Sequence, residues 1–393
     1  MEKIVITGGE PLSGNITIGG SKNAVLPIMA ACILTDEAVH LTNVPNLQDI
    51  QTMIKVLESL GVKADISNLN QNQLTVCYED INKNIAEYDL VRKMRASVLI
   101  LGPLLARKKE ASVSLPGGCA IGARPIDIHI DALKKLGAEF VLDSGYVNCK
   151  APKGLKGNKI DLKKISVGAS ENIIMAASLA SGESEINNIA IEPEVIDLIK
   201  CLKSMGSEID FIGDRKILIQ GKENLRGTTH EVIPDRIEAG TYMIASAITN
   251  SKLTIKKLNI NHIQNTINYL TKANIKVKKI DKNSVQILPG KIKSVSFKTS
   301  PYPGFASDMQ AQFMSLMNFA NGTSKIKEEI FENRFLHVSE LNRMGADISI
   351  MKNIATIKGV DKLRAAEVMA TDLRASVSLV LAGLATKGKT VIN

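Results

Sequence analysis

The chain has few cysteines and no long hydrophobic run, and each absence excludes a class of protein. The five cysteines are Cys32, Cys77, Cys119, Cys149 and Cys201. They show no paired spacing, which argues against a disulfide framework or a zinc site and indicates a reducing cytoplasm. The longest apolar runs each hold a proline and are too short to span a bilayer. The N-terminal residues show no basic segment followed by an apolar one, so we expect no secretory signal.

Aromatic residues are also scarce, at 4% of the chain, and the positive charge is not gathered into one tract. The formal net charge is +9. Nucleic-acid-binding domains of this charge cluster their Lys and Arg residues on one face. Scattered basic residues favour a small anionic substrate instead, so we expect no nucleic-acid partner. The 393 residues, 45% of them hydrophobic, are typical of a globular protein with more than one domain.

What the chain does contain is an internal repeat. The pattern Leu-x-x-Leu-Gly, or a close variant, recurs roughly every 70 residues. Its copies end at Gly61, Gly137, Gly206, Asn274 and Gly345. Leucines three apart share one face of a helix, and the Gly or Asn after them takes the left-handed C-cap position. The alternating apolar residues that follow each copy predict a strand.

A second repeated element is an apolar helix of small residues that a polar residue or glycine opens. Its six copies begin near Lys22, Arg95, Gly168, Arg236, Asp308 and Asp372. Helices this apolar must be buried. Each unit therefore reads strand–helix–strand–helix–strand, which predicts an α/β fold whose repeats share a core. The period places the second helix of the sixth unit beyond Asn393, so we expect the sixth repeat to be incomplete.

The segment Leu115–Asp127, LPGGCAIGARPID, is the strongest local sign of catalysis. Gly117 and Gly118 allow the backbone to move and to approach a ligand closely. Cys119 follows them, and Arg124 lies five residues further on. A thiol beside a cation in such a loop is suited to react. The alternative is that Cys119 is a small hydrophobic residue of the core.

Ionisable residues at the starts of the apolar helices form a second sign of a site. If the repeats close around axes, these starts converge, and helix N-termini bind phosphate readily. Lys22, Arg95 and Arg124 would then suit a polyanionic substrate. Each residue has an alternative explanation: Lys22 could be a surface lysine, and Arg95 could pair with a neighbouring acid. Asp308 and Asp372 could be plain N-caps.

Eight segments, in register over the whole chain, resemble the enolpyruvyl transferase family. They are GSKNA at 20–24, MRAS at 94–97, SLPGGCAIGARPID at 114–127, SVGA at 166–169, PDRIEAGT at 234–241, SDMQAQF at 307–313, FENRFLHVSEL at 331–341 and ATDLRAS at 370–376. The cysteine loop is specific to the branch that uses UDP-N-acetylglucosamine in peptidoglycan synthesis. The related shikimate-pathway transferases lack that loop.

The resemblance implies a two-domain, inside-out α/β barrel of the EPSP synthase type, built from six repeats. One domain would span residues 22–232, and the other would join residues 1–21 to 233–393. It also implies transfer of the enolpyruvyl group of phosphoenolpyruvate to the 3′-hydroxyl of UDP-N-acetylglucosamine, with release of phosphate. This addition–elimination moves no hydride and needs no electron sink, so we expect no cofactor and no metal.

The resemblance also assigns roles to individual residues. Cys119 would donate a proton to C3 of phosphoenolpyruvate and form a covalent adduct, and Asp308, Lys22 and Asp372 would be catalytic. Phosphoenolpyruvate would contact Lys22, Asn23, Arg124 and Arg374. UDP-N-acetylglucosamine would contact Arg95, Arg124, Pro125, Ile126, Asp127, Ile128, Lys164, Ile165, Ser166, Val167, Asp308 and Ile330.

Two alternatives stay open at this point. The chain could be an enolpyruvyl transferase with another hydroxyl acceptor, although the cysteine loop argues against it. It could also bind the UDP-sugar without turnover, because the family's last segment carries an arginine that contacts phosphoenolpyruvate and would lie beyond Asn393.

Overall fold

Two compact units make up the part of the chain that the structure describes. The computed structural model describes residues 3–78, 85–86, 88–91, 94–114 and 126–393. Within these ranges, the middle unit holds residues 19–233, and the terminal unit joins residues 3–18 to 234–393. Each unit has its own hydrophobic core.

The first half of the chain forms two leading strands and three repeats. The strands are β1 (Ile4–Gly8) and β2 (Ser13–Thr17). The first repeat holds α1 (Lys22–Ala31), β3 (Val39–Thr42), α2 (Gln48–Ser59), β4 (Val62–Asp65) and β5 (Gln73–Tyr78). The second holds β6 (Ile85–Ala86), α3 (Tyr88–Val91), α4 (Leu101–Lys108), β7 (Glu110–Ser114), α5 (Asp127–Lys135), β8 (Glu139–Asp143) and β9 (Tyr146–Lys150). The third holds β10 (Lys159–Asp161), α6 (Val167–Ala177), β11 (Glu183–Asn187), α7 (Pro193–Ser204), β12 (Glu208–Gly213) and β13 (Lys216–Gln220), and β14 (Thr228–Glu231) follows it.

The second half continues the repeat. The fourth repeat holds α8 (Arg236–Ile248), β15 (Lys252–Lys256), α9 (Gln264–Lys272), β16 (Lys276–Asp281) and β17 (Ser284–Leu288). The fifth holds β18 (Phe297–Lys298), α10 (Gln310–Met317), β19 (Thr323–Lys327), α11 (His337–Arg343), β20 (Asp347–Met351) and β21 (Ile354–Lys358). The sixth holds β22 (Glu367–Val368), α12 (Leu373–Ala385) and β23 (Gly388–Ile392).

Within the described residues, five of the six sheets share one topology, with one strand more than the predicted unit, and the sixth has three strands in the order β1-β23-β22. In the third repeat the order is β10-β11-β13-β12, with β10 parallel to β11 and the other pairs antiparallel. Because β13 lies between β11 and β12, the chain must return through a hairpin after β12. The predicted pattern of three strands per repeat was wrong in this respect, since it did not include the returning strand.

Two strands pair with repeats far from their own place in the chain. β2 precedes α1 but pairs in parallel with β15 of the fourth repeat, and β14 precedes α8 but pairs in parallel with β3 of the first. β1 pairs antiparallel with β23, in the place beside the second strand that β13 takes in the third repeat. The first 18 residues therefore supply strands to the terminal unit.

The apolar helices lie at the centre of each unit, inside the sheets. Every side chain from Ala24 to Ala31 of α1 and from Gln310 to Met317 of α10 is buried. In contrast, β12 and β16 expose most of their side chains. Helices in the core and sheets outside are the reverse of the usual α/β layering, so the expectation of an inside-out fold is confirmed. None of the helices within the described ranges is long and apolar enough to cross a membrane.

The helix ends follow the local rules closely. All five predicted C-cap positions have positive φ, from +65° at Asn274 to +100° at Gly206. The apolar helices begin where expected, except that a 3₁₀ turn precedes two of them: Arg95–Ile100 before α4 and Ser307–Met309 before α10. Pro103 lies in the first turn of α4 and has no N–H to donate to the carbonyl of Leu99. The 3₁₀ turn before α10 carries Asp308.

Candidate functional site

Asp308 is held between two arginines of the terminal unit. Its Oδ1 accepts from Nη2 of Arg334 at 2.6 Å, and its Oδ2 accepts from Nη2 of Arg374 at 2.9 Å. Arg374 lies in the first turn of α12, and Arg334 lies in the loop before α11. The carboxylate is 29% exposed, whereas Arg334 is only 3% exposed. The pair Asp308–Arg374, both predicted site residues, thus meets across 66 residues of sequence.

These arginines set the acidity of Asp308. Burial alone would raise the pKa of the carboxyl, but the positive charges of Arg374 and Arg334 and their hydrogen bonds outweigh it. The pKa of Asp308 is therefore held well below its ordinary value. The side chain does not cap α10, so the alternative that Asp308 is a plain N-cap is wrong.

Arg334 was not among the predicted site residues. It lies within the segment FENRFLHVSEL, in a loop without helix or strand periodicity. Its guanidinium lies over the ring of Phe331, with Cζ 4.9 Å from the ring centroid. A buried arginine needs a counter-charge. This requirement is the only signal in the sequence that could have predicted an acidic partner, such as Asp308, for Arg334.

Asp372 has a different role in the structure. Its Oδ1 accepts from the backbone N–H groups of Arg374 at 2.9 Å and Ala375 at 3.1 Å. It is therefore the N-cap of α12, as the simpler explanation held, and it fixes the backbone of Arg374. A catalytic role for Asp372 stays a prediction.

A buried histidine lies beside this cluster. His337, the first residue of α11, is 1% exposed. The pKa of His337 is lowered from 6.5 to about 4, mainly by burial. The charge of Asp372 opposes this shift, and the charge of Arg334 adds to it. The imidazole is consequently neutral at physiological pH and adds no charge to the site.

In the middle unit, Lys22 is the first residue of α1. Its Nζ forms an ion pair with Oδ2 of Asp49 at 2.8 Å, and the lysine side chain is 20% exposed. Asn23 follows it in the first turn. Lys22 is thus a partly buried, paired lysine at a helix N-terminus, unlike the solvated surface lysine of the alternative explanation.

The starts of α5 and α6 lie together in the middle unit. His129 of α5 packs against Gly168 and forms a 2.9 Å hydrogen bond between its Nδ1 and Nδ2 of Asn172 in α6. Oδ1 of Asn172 accepts from the backbone N–H of Gly102. That bond orients the amide, so Nδ1 of His129 is the acceptor and Nε2 carries the proton.

This packing gathers most of the predicted UDP-sugar strip. Ile126, Asp127 and Ile128 open α5, and Ser166 caps α6 by accepting from the N–H of Ala169. Ile165 is half-buried, whereas Lys164 and Val167 are exposed. In the terminal unit, Ile330 is 39% exposed.

Some predicted residues lie outside the described ones. These are Cys119, Arg124 and Pro125, together with the side chain of Arg95. Within the described ranges, no cluster of three His, Cys, Asp or Glu side chains is arranged to hold a metal ion.

Comparison with known families matches this architecture over nearly the whole chain. The sequence profile described as EPSP synthase (3-phosphoshikimate 1-carboxyvinyltransferase) matches residues 6–393. Two solved structures share the fold. The enolpyruvyl transferase NikO from Streptomyces tendae has a TM-score of 0.91 at 23% identity, covering 99% of this chain and 92% of that one. EPSP synthase from Acinetobacter baumannii has a TM-score of 0.76 at 18% identity, covering 100% and 94%.

Curated relatives define the branch more narrowly. A UDP-N-acetylglucosamine 1-carboxyvinyltransferase from Rickettsia bellii (strain OSU 85-389) is 52% identical over 395 residues, covering 100% of this chain and 94% of that protein. Proteins of the same name from Rickettsia prowazekii (strain Madrid E) and Rickettsia africae (strain ESF-5) are 52% and 51% identical with the same coverage. The chain belongs to the EPSP synthase family and, within it, to the UDP-N-acetylglucosamine 1-carboxyvinyltransferases.

Proposed function

We propose that this protein transfers the enolpyruvyl group of phosphoenolpyruvate to the 3′-hydroxyl of UDP-N-acetylglucosamine and releases phosphate. The observation that carries the proposal is the carboxylate of Asp308 between Arg334 and Arg374. An acid–base group beside cations is what this reaction requires. The 52% identity to a UDP-N-acetylglucosamine 1-carboxyvinyltransferase supports UDP-N-acetylglucosamine as the acceptor. The reaction belongs to peptidoglycan synthesis.

The chemistry proceeds by addition and then elimination. Asp308 takes the proton of the sugar 3′-hydroxyl, and the oxygen of that hydroxyl attacks C2 of phosphoenolpyruvate. At the same time Cys119 delivers a proton to C3. Loss of a proton from C3 and departure of phosphate then restore the double bond. Both steps conserve electrons, so the reaction needs no redox partner. Asp372 lies near the reacting carbon in this scheme.

Each oxygen of Asp308 accepts a hydrogen bond from an arginine, and this lowers its basicity. Arg374 is the more exposed of its two partners, at 18% against 3% for Arg334. The phosphate of phosphoenolpyruvate is a dianion and competes for the Arg374 guanidinium. Loss of that ion pair raises the basicity of Asp308 at the moment when the substrate is bound.

Kinetics against pH test this exchange of partners. The profile of kcat/KM for phosphoenolpyruvate reports the enzyme before that substrate binds, and that of kcat reports the substrate complex. We expect the acid limb of kcat to lie at a higher pH than the acid limb of kcat/KM. Coincident limbs would show that Arg374 stays on Asp308 throughout.

Binding uses the remaining predicted residues. Lys22, Asn23 and Arg124 contact phosphoenolpyruvate, and the starts of α5 and α6 contact the UDP-sugar. Both substrates are anions, in agreement with the net charge of +9.

We place the reaction in the cytoplasm, because Cys32, Cys149 and Cys201 are buried unpaired thiols, which are typical of a reducing compartment.

The decisive assay is release of phosphate from phosphoenolpyruvate by the purified chain. We expect release that depends on UDP-N-acetylglucosamine, with mass spectrometry showing the enolpyruvyl ether. The control acceptor is 3-phosphoshikimate, which should support no release. Release with 3-phosphoshikimate alone would assign the chain to a different acceptor. Binding of UDP-N-acetylglucosamine without any release would leave only a sugar-binding role.

A further inference from the structure

Glu328, a residue to which the reaction scheme gives no role, is a buried carboxylate whose two oxygens both accept hydrogen bonds. Its side chain is 2% exposed. Oε1 accepts from the hydroxyl of Thr299 at 3.0 Å and from the backbone N–H groups of Ile330 at 2.9 Å and Phe331 at 3.2 Å. The hydroxyl of Ser307 lies 2.9 Å from both carboxylate oxygens.

The backbone of Glu328 is also anchored. Its N–H donates to the carbonyl of Asn353 at 2.9 Å, and Nδ2 of Asn353 donates to the carbonyl of Glu328 at 2.9 Å. Asn353 lies in the turn between β20 and β21, so the carboxylate is fixed to the outer sheet of the fifth repeat. The donors to the carboxylate are hydroxyls and backbone amides, none of which carries a full charge. Their shared effect is to define geometry.

Three of the donors, Ser307, Ile330 and Phe331, belong to the two segments that present the site, and Thr299 directly follows β18. Ser307 directly precedes Asp308 in the 3₁₀ turn. On the other side, Ile330 and Phe331 open the loop that carries Arg334, and Phe331 supports the Arg334 guanidinium. The Arg334–Asp308 ion pair then closes a ring of contacts that begins and ends at Glu328.

We propose that Glu328 is a positioning residue that sets the distance between Asp308 and the Ile330–Phe331 segment. This inference rests on the proposed function, in which Asp308 meets the sugar hydroxyl, and on the family resemblance, which implies that Ile330 lines the uridine pocket. Asp308 and Ile330 would contact opposite ends of the UDP-sugar. Glu328 would thereby hold these two residues at the spacing that the UDP-sugar needs.

Two substitutions separate geometry from charge. Glu328→Gln can place its amide oxygen where Oε1 accepts three hydrogen bonds, and its NH₂ can donate to Ser307. Glu328→Met has similar length and no acceptor, so the donors lose their partner and the segments separate. The neighbouring Glu329 provides the matched control, because it pairs with Lys327 and Lys298 near the surface.

The experiment is steady-state kinetics of phosphate release with each substrate varied in turn. We expect Glu328→Met to lower kcat/KM for the UDP-sugar by about 10- to 100-fold, with the KM for phosphoenolpyruvate changed less than about threefold. Glu328→Gln and Glu329→Met should stay within about threefold of wild type. A merely structural role would reduce the active fraction and leave both KM values unchanged.

A milder variant covers the case in which Glu328→Met does not fold. Ser307→Ala removes one donor beside Asp308 and should lower kcat/KM for the UDP-sugar in the same selective way. Wild-type kinetics in both Glu328→Met and Ser307→Ala, or equal loss in Glu328→Gln and Glu328→Met, would overturn the positioning role. Wild-type protein that releases no phosphate would overturn the proposed function instead.

Discussion

Asp308 and Asp372 occupy equivalent places at the starts of apolar helices in the fifth and sixth repeats, but they make different contacts. Asp372 accepts from two backbone N–H groups of its own helix. Asp308 makes no cap and instead accepts from two guanidiniums, one of them 66 residues away. A repeat position therefore specifies where a carboxylate lies, whereas its neighbours decide what the carboxylate does.

The difference follows from what surrounds each helix start. The 3₁₀ turn at Ser307–Met309 moves the beginning of α10 past Asp308, so that Met309 takes the N-cap position. Arg334, which is buried and needs a counter-charge, then becomes the partner of Asp308. At α12 no such turn intervenes, and the local cap forms.

The largest effect that would sharpen this comparison is expected for Asp308→Ala. Loss of the base should lower kcat by about two to four powers of ten while UDP-sugar binding persists. Phosphate release and calorimetric titration measure the two quantities. Asp347→Ala, at an exposed aspartate of the same unit, is the control and should act like wild type. A normal kcat in Asp308→Ala would remove its role as base.

The next effect concerns stability, which should depend more on the buried Arg334 than on the more exposed Arg374. Arg334→Met should lower the free energy of unfolding by about 3 kcal/mol, because it breaks a largely buried ion pair. Arg374→Met removes a more exposed partner and should cost about 1–2 kcal/mol. Urea unfolding monitored by circular dichroism gives both values. Equal losses would mean that burial does not distinguish these two contacts.

His337 should make stability depend on pH. Its folded pKa of about 4 lies below the unfolded value of 6.5. As the pH falls through this window the unfolded state takes up the proton first, so the free energy of unfolding decreases. The decrease from this group should total about 3 kcal/mol between pH 6.5 and pH 4.

Unfolding measured across that window tests the assignment to His337. His337→Gln should flatten the dependence by that amount. A variant at position 337 with the full wild-type slope would assign the effect to another group.

The smallest effect concerns the cap at Asp372. Asp372→Ala should lower the free energy of unfolding by about 1 kcal/mol, and Asp372→Asn should preserve it because asparagine caps equally well. We expect Asp372→Asn to reduce turnover nevertheless, since it removes the charge that the catalytic prediction requires. Wild-type turnover in Asp372→Asn would leave the residue as a cap alone.

Local patterns carried much of the fold. The Leu-x-x-Leu-Gly pattern placed the C-caps at Gly61, Gly137, Gly206, Asn274 and Gly345, because a left-handed residue after a helix depends on a few neighbours only. The exchange of β2 and β14 was not predictable in this way. Either strand could pair with either repeat on its own alternation, and only the packed sheets select the partner.

In the site, too, local motifs predicted some features and tertiary contacts decided the others. Motif resemblance led to Asp308 and Arg374 as separate residues, but nothing in either segment predicted that they form an ion pair. Arg334 and Glu328 were missed because they lie in a loop without periodicity, where no local rule assigns a partner. Their contacts with Asp308 and Ser307 join segments more than 20 residues apart.

By itself, the sequence determined the repeat, the buried helices and the branch of the family, since these depend on periodicity and on motifs that are short along the chain. Tertiary structure alone decided which strand completes each sheet and which charges meet. The physical reason is that a buried charge or an open sheet edge must find a partner in space, and the chain's linear order does not say which partner is nearest.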